Sequence, residues 1–309
     1  MRTNQRRFDF AGKLTMWSVM ALGALGSTGW ANAGEATLAD VPARVATAVA
    51  GEGVPAVPKL ASAKAQLEHA AGLKKAMRGT EGEARDRARK TAIDGYRAVR
   101  EYFGEDSAAC AEAAFRAGEL LRAGDDTAGA LAEYTAARDR GTGTEFRVRA
   151  MLEIAHLERR AKRVQPALAA YEAVVAEESA SARQKDEASL WLGRVHADLE
   201  HYADARRVWQ RVADKGEDPL DRVRAWDFLV SLLIEQGDLE GAAGVLERCR
   251  ESLSEVASEE SKLGERVRSA LASMRCIDEL TRAIEKRRTA SDGADKNKEG
   301  SKTGKRGGT

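Results

Sequence analysis

Four histidines and three cysteines are the side chains in this sequence best equipped to hold a metal or attack a substrate. His196 and His201 stand closest together, five residues apart with Glu200 between them. Along a continuous helix, five residues turn the chain through about 500°, so the two imidazoles are expected on different faces and form no metal pair with Glu200. His69 and His156 are isolated. Cys110, Cys249 and Cys276 are an odd set without metal-ligand spacing, and buried thiols are the expectation. In an oxidising compartment, Cys249 and Cys276 are the pair that could bridge. The sequence has no glycine-rich phosphate loop, no serine elbow and no paired-cysteine motif. No nucleophile, base or metal cluster converges, so the expectation is a protein that is not an enzyme, with no catalytic residue, metal or cofactor.

What the sequence carries instead is a repeat. Ala130, Ala167, Ala205 and Ala242 recur at intervals of 37, 38 and 37 residues. Four residues after each stands a large apolar side chain: Tyr134, Tyr171, Trp209 and Leu246. Twelve residues before each stands a small or compact one: Gly118, Ala155, Gly193 and Val230. A small residue lets two antiparallel helices approach, the alanine does the same from the partner helix, and the large residue fills the groove beside that contact. A period of this length predicts a stacked array in which each unit packs on its neighbours.

The pattern resembles the tetratricopeptide repeat (TPR), in which a small residue on helix A precedes alanine, aromatic and apolar positions on helix B. It is carried by Ala117-Gly118, Leu121, Ala130, Tyr134 and Ala137, then by Leu192-Gly193, Ala205, Trp209, Val212 and Pro219, then by Trp226, Leu229, Val230, Leu233, Ala242, Leu246 and Cys249. Gly124-Asp125 and Gly237-Asp238 supply turns. The resemblance covers about Ala92 to Cys249, with Ala92, Tyr96 and Val99 forming a half-repeat. Glu158 departs from it by standing at a usually apolar position, and the period exceeds the usual 34. The longer period looks more like exported TPR proteins of bacterial envelopes than cytosolic adaptors.

The resemblance implies an all-α, right-handed superhelical solenoid of antiparallel helix pairs, closed by a C-terminal capping helix. It also implies a concave face lined by helix A. That places Phe115, Arg116, Arg149, Leu152, His156, Trp191, Arg194, Arg224 and Phe228 in a candidate peptide-binding groove. Aromatics interleaved with arginines suit a peptide anchor, although the same aromatics could simply fill a tightly wound array. The carboxylate clamp of chaperone-tail adaptors is not reproduced, since Phe115 and Glu119 stand where that subfamily has Lys and Asn. His196 falls at a position that packs between the helices, which makes it a core or rim histidine.

Residues 1–33 read as a signal peptide. Arg2, Arg6, Arg7 and Lys13 precede the apolar run LTMWSVMALGALGSTGW, and Ala31-Asn32-Ala33 offers small residues for processing after Ala33. An uncleaved inner-membrane anchor is the alternative. Residues 34–58, with three of the five prolines, read as a flexible leader. Residues 59–103 should hold N-terminal helices and the half-repeat, 104–250 the TPR-like repeats, and 251–288 a degenerate repeat or capping helices. Residues 289–309 lack any apolar side chain larger than alanine and read as a disordered basic tail. Formal net charge is +1 overall, but residues 286–309 alone carry eight basic and three acidic side chains. The expectation is therefore an exported scaffold, periplasmic or in the cell envelope, with a protein or peptide partner. An anionic envelope polymer or membrane surface engaged by the tail is the alternative, and no nucleic-acid partner is expected.

Overall fold

Each of the four repeats becomes a pair of helices whose turn is set by one backbone device. The computed structural model describes residues 57–303, with side chains to residue 290; the segment expected to be a signal peptide and nearly all of the expected leader lie outside the described residues. Within them, α1 (Ala63–Ala76) and α2 (Gly82–Tyr102) precede four pairs. These are α3 (Ser107–Ala123) with α4 (Thr127–Arg140), α5 (Glu145–Arg160) with α6 (Val164–Ala176), α7 (Ala182–Asp198) with α8 (Tyr202–Lys215), and α9 (Pro219–Glu235) with α10 (Leu239–Ser258). Two further helices, α11 (Lys262–Ala272) and α12 (Arg275–Thr303), end the array.

The turn inside every pair closes in the same way. Asp125, Lys162, Glu200 and Gly237 adopt left-handed backbone, with φ of 62°, 58°, 61° and 77°. The next residue then donates its N–H to a carbonyl five residues back: Asp126 to Leu121 at 3.0 Å, Arg163 to Glu158 at 3.0 Å, His201 to His196 at 2.9 Å and Asp238 to Leu233 at 2.9 Å. This is a Schellman closure, which satisfies carbonyls that the end of the first helix would otherwise leave unpaired. The residue that makes the bond is also the N-cap of the second helix. Asp126 and Asp238 fill that slot with a carboxylate accepting from Gly129 and Gly241, whereas Arg163 and His201 make no side-chain cap.

Packing follows the expected size code. Gly118 lies against the Tyr134 ring, where an added Cβ would come within 2.8 Å of Cε1. Gly193 lies against the Trp209 indole, whose Cε2 would be 2.6 Å from an added Cβ. The second pair uses Ala155 with Tyr171 and the fourth Val230 with Leu246, all buried. The smallest helix A residues stand against aromatic rings and the largest, Val230, against the smaller Leu246, a size match that suits close packing. Trp209 is fixed in place by its indole N–H, which donates to the Leu190 carbonyl at 3.0 Å.

Helices pack on their sequence neighbours from α1 to α11, and the core divides into three clusters that follow one another along the chain. The TPR-like array of antiparallel pairs is thus the architecture of the described residues, which contain no strand. The half-repeat gains a partner: α1 packs on α2, with Ala70 and Leu73 against Gly95. At the other end α11 and α12 both fold onto α9, and α12 also reaches α10. Backbone helix continues through Thr303, past residue 289, where the sequence suggested a disordered tail. No helix among the described residues is long and apolar enough to cross a membrane.

Candidate functional site

The first helices of the pairs meet one another. Contacts join α1 to α3, α3 to α5, α5 to α7 and α7 to α9, while no comparable contact joins α4 to α6 or α6 to α8. The array is therefore tighter on the side of the first helices, and side chains there reach from one pair to the next.

One such contact, which joins a histidine, a tryptophan and a carboxylate, lies between α5 and α7. His156 Nδ1 is 2.7 Å from the Tyr171 hydroxyl, and its Nε2 is 3.5 Å from a Glu187 carboxylate oxygen. Arg159 Nε donates to the same hydroxyl at 3.3 Å, and its guanidinium lies 4.0 Å above the Trp191 ring. His156 also meets Trp191 edge-on, with ring centres 5.9 Å apart. The set is mutually satisfied when Tyr171 donates to His156 Nδ1 and the Nε2–H of His156 faces Glu187. The hydrogen bond to His156 holds the Glu187 carboxyl below its ordinary pKa. Burial pushes the Tyr171 phenol up to about 12. Tyr171 is fully buried, and the row from Tyr171 through His156 to Glu187 ties α5 to both α6 and α7, so it acts as a brace. It packs against Trp191, which is half-buried.

The other groove candidates divide. Phe115 is only 3% exposed and packs against Tyr134 and Phe146 at 5.5 and 5.6 Å, so it belongs to the core and cannot anchor a ligand. Leu152 is likewise buried. Both stand three residues before the small position of their helix, as does the buried Leu190, and that register points inward. Trp191 and Phe228 stand two residues before it, as do Arg116 and Glu153, and that register reaches solvent. Phe228 is half-buried against Trp209, with ring centres 5.1 Å apart. Arg149 lies 4.4 Å above Phe115 and pairs with Glu145 at 3.1 Å. Arg116 pairs with Glu119 at 3.2 Å, and Arg194 with Asp198 at 3.5 Å. Arg224, paired with Asp221 at 2.8 Å, lines an open cleft of about 410 Å³ between α9 and α11, together with Asp227, Arg266 and Ser269. The nine candidates thus reduce to one braced tryptophan, the histidine that braces it, a half-buried phenylalanine, four arginines already engaged with carboxylates, and two core residues.

Two expectations drawn from the histidines and cysteines also meet the structure. The chain does not run as one helix from His196 to His201: it leaves α7 and reverses at Glu200, which brings the two rings to 6.0 Å. Ligand atoms of His196, His201 and Asp204 lie within 4.8 Å of one another. The expectation of divergent faces is therefore corrected. His196 is buried, as a core or rim histidine should be. Cys110, Cys249 and Cys276 are all buried free thiols, and the Cys249–Cys276 pair is not bridged.

No family model matches the sequence, and no curated protein matches it. Solved structures similar to it include MamA, from position 41 to its end, of Desulfovibrio magneticus RS-1, at 18% identity and a TM-score of 0.46 over 64% of this chain and 97% of that one. Another is a putative kinesin light chain of Podosopora anserina with nearly identical TPR-like repeats, at 11% identity and a TM-score of 0.47 over 65% of this chain and 100% of that one. The apo form of RapI is similar at 15% identity and a TM-score of 0.48 over 68% of this chain and 62% of that one. The TPR-like description of the helix pairs rests on the period, packing and turns of this chain itself.

Proposed function

We propose that the chain is an exported, non-enzymatic scaffold that captures a protein segment across its first-helix face, with Trp191 as the anchor. The observation that carries this reading is the half-buried indole, reaching solvent at one edge and held between Arg159 and His156. A braced tryptophan loses little conformational entropy on contact, and Trp and Arg dominate the energetics of interfaces. Neighbouring carboxylates and guanidiniums form the polar rim such an anchor requires. Export to the periplasm or envelope is supported by the basic and apolar order of residues 1–33 and by Ala31-Asn32-Ala33.

The test is capture of envelope proteins by the full chain, by Trp191→Ala and by a form lacking residues 289–309, at low and high ionic strength. Loss of the principal partner with Trp191→Ala, little affected by salt, is the expected result. If deletion of the tail abolishes capture while Trp191→Ala preserves it, the scaffold reading gives way to a charge-driven polymer or membrane binder. Recovery of an unprocessed, cytosolic chain would remove the export proposal.

A further inference from the structure

The turn of the third pair differs from the other three in a way that helix packing does not require. In every pair the Schellman closure brings together the residue five before the N-cap, the N-cap itself and the residue three after it. Those positions hold Leu121, Asp126 and Gly129 in the first pair, and Leu233, Asp238 and Gly241 in the fourth. There the carboxylate caps the helix and the leucine is buried. In the second pair they hold Glu158, Arg163 and Pro166, and Glu158 and Arg163 form an ion pair across the turn. The turn therefore places these side chains in contact by construction.

In the third pair the same three positions are His196, His201 and Asp204. His201 gives up the cap that aspartate provides in the first and fourth pairs. His196 is 8% exposed, and its Nδ1 is buried without a hydrogen-bond partner. A buried imidazole nitrogen left unpaired is costly, and so is a forgone cap. Both features are accounted for if the turn holds a ligand for which nitrogen and carboxylate donors are suited.

We propose that His196, His201 and Asp204 bind one divalent first-row transition ion of the Zn²⁺ type. Two imidazoles and a carboxylate are borderline donors that suit Zn²⁺, Ni²⁺ or Cu²⁺ better than Ca²⁺ or Mg²⁺, and a three-residue set leaves a coordination position for water or a partner's side chain. Donors around a tetrahedral Zn²⁺ stand about 3.3 Å apart, so the group must draw in from its present spread of up to 4.8 Å. The necessary movement is available. His201 is exposed and Asp204 half-exposed, so both can change rotamer, while the backbone bond from His201 to His196 keeps the turn fixed. Asp204 meanwhile pairs with the exposed Arg207 at 2.6 Å. Such a surface pair is a weak competitor for a carboxylate.

The test uses the untagged full chain, freed of metal by a chelator and titrated with Zn²⁺ alone by calorimetry, with Co²⁺ absorption as a second readout. One equivalent should bind, with the visible d–d bands of a low-symmetry nitrogen and oxygen site. His201→Gln and Asp204→Asn, both at accessible positions and checked for unchanged helix content, should each weaken binding by at least about tenfold, the loss that even an outer-shell partner can produce. His196→Gln should remove binding, and His69→Gln should leave it intact. Absence of a stoichiometric Zn²⁺ site overturns the proposal. So does uptake that His201→Gln and Asp204→Asn leave unchanged.

Discussion

Adding a single methyl group at Gly193 should disrupt the third pair. The new Cβ would stand 2.6 Å from Cε2 and 2.7 Å from Cδ1 of Trp209, well inside van der Waals contact. The indole has no cheap escape, being 2% exposed and tied to the Leu190 carbonyl at 3.0 Å. Overpacking of this kind costs about 1–3 kcal/mol. If the ring moves to relieve it, the indole hydrogen bond is strained or lost, for about 0.5–1.5 kcal/mol more. Alanine in a helix returns about 0.8–1.0 kcal/mol relative to glycine, which leaves a net loss of about 0.5–3.5 kcal/mol for Gly193→Ala.

Gly244 supplies the control. It lies within α10 with nothing inside 4 Å of an added Cβ, so Gly244→Ala should be stabilising by about 0.8–1.0 kcal/mol. Urea unfolding followed by far-UV circular dichroism should move the two midpoints in opposite directions, and hydrogen exchange should place the Gly193→Ala loss in α7 and α8. The fourth pair offers the compensating combination, since Val230 there faces a smaller Leu246. Gly193→Val with Trp209→Leu should accordingly recover part of what Gly193→Val alone loses. Equal stability of Gly193→Ala and Gly244→Ala would refute the size code on which the whole register rests.

Burial pushes both Tyr134 and Tyr171 up to about 12. These phenols keep their protons in the folded state after the unfolded chain has released them, so stability should be intact below pH 10 and fall as pH rises from 10 toward 12. Ultraviolet titration should show the Tyr134 and Tyr171 phenols ionising only as the pH approaches about 12; ionisation of both near their ordinary pKa of 10.0 in a still-folded chain would contradict the burial. The three cysteines are fully buried, and burial raises the thiol pKa of each, to about 12 for Cys249. A charged thiol reagent should therefore find none of them until the chain unfolds, and then find all three.

The architecture was legible because its packing rule is written in residue sizes at fixed intervals. Glycine, alanine and aromatic side chains at one spacing admit few alternatives to paired helices. The candidate groove was less legible because the concave-face assignment merged two registers. Phe115 shares its position with Leu152 and Leu190, and the burial of all three follows from that shared position. Trp191 shares its position with Arg116 and Glu153, a polar company that marks the solvent side. The histidine cluster is hidden for a different reason. Helical-wheel geometry does not hold across the turn at Glu200, which stands at the same interval as Asp125 and Gly237 in the Gly124-Asp125 and Gly237-Asp238 turns. Tyr171 carries a packing signal in the sequence. Its link through His156 to Glu187 depends on the approach of a second helix pair, which no local pattern records.

The turns show where this scaffold tolerates variation and what it loses by it. Asp126 and Asp238 each cap a second helix, an interaction worth about 0.5–2 kcal/mol. The two central helices, α6 and α8, have no such cap. In the second pair the missing cap is accompanied by the Glu158–Arg163 ion pair, which satisfies a charge that burial would otherwise penalise. In the third pair nothing comparable appears on the protein side: the His196 Nδ1 stays unpaired, and His201 faces solvent. A sequence tuned only for helix stability would place aspartate at 201 and an apolar residue at 196, as the first and fourth pairs do. Both central turns depart from the local rule at both positions, but the third alone of the four turns leaves a buried ring nitrogen, His196 Nδ1, unpaired, which is the pattern expected where local stability yields to another demand.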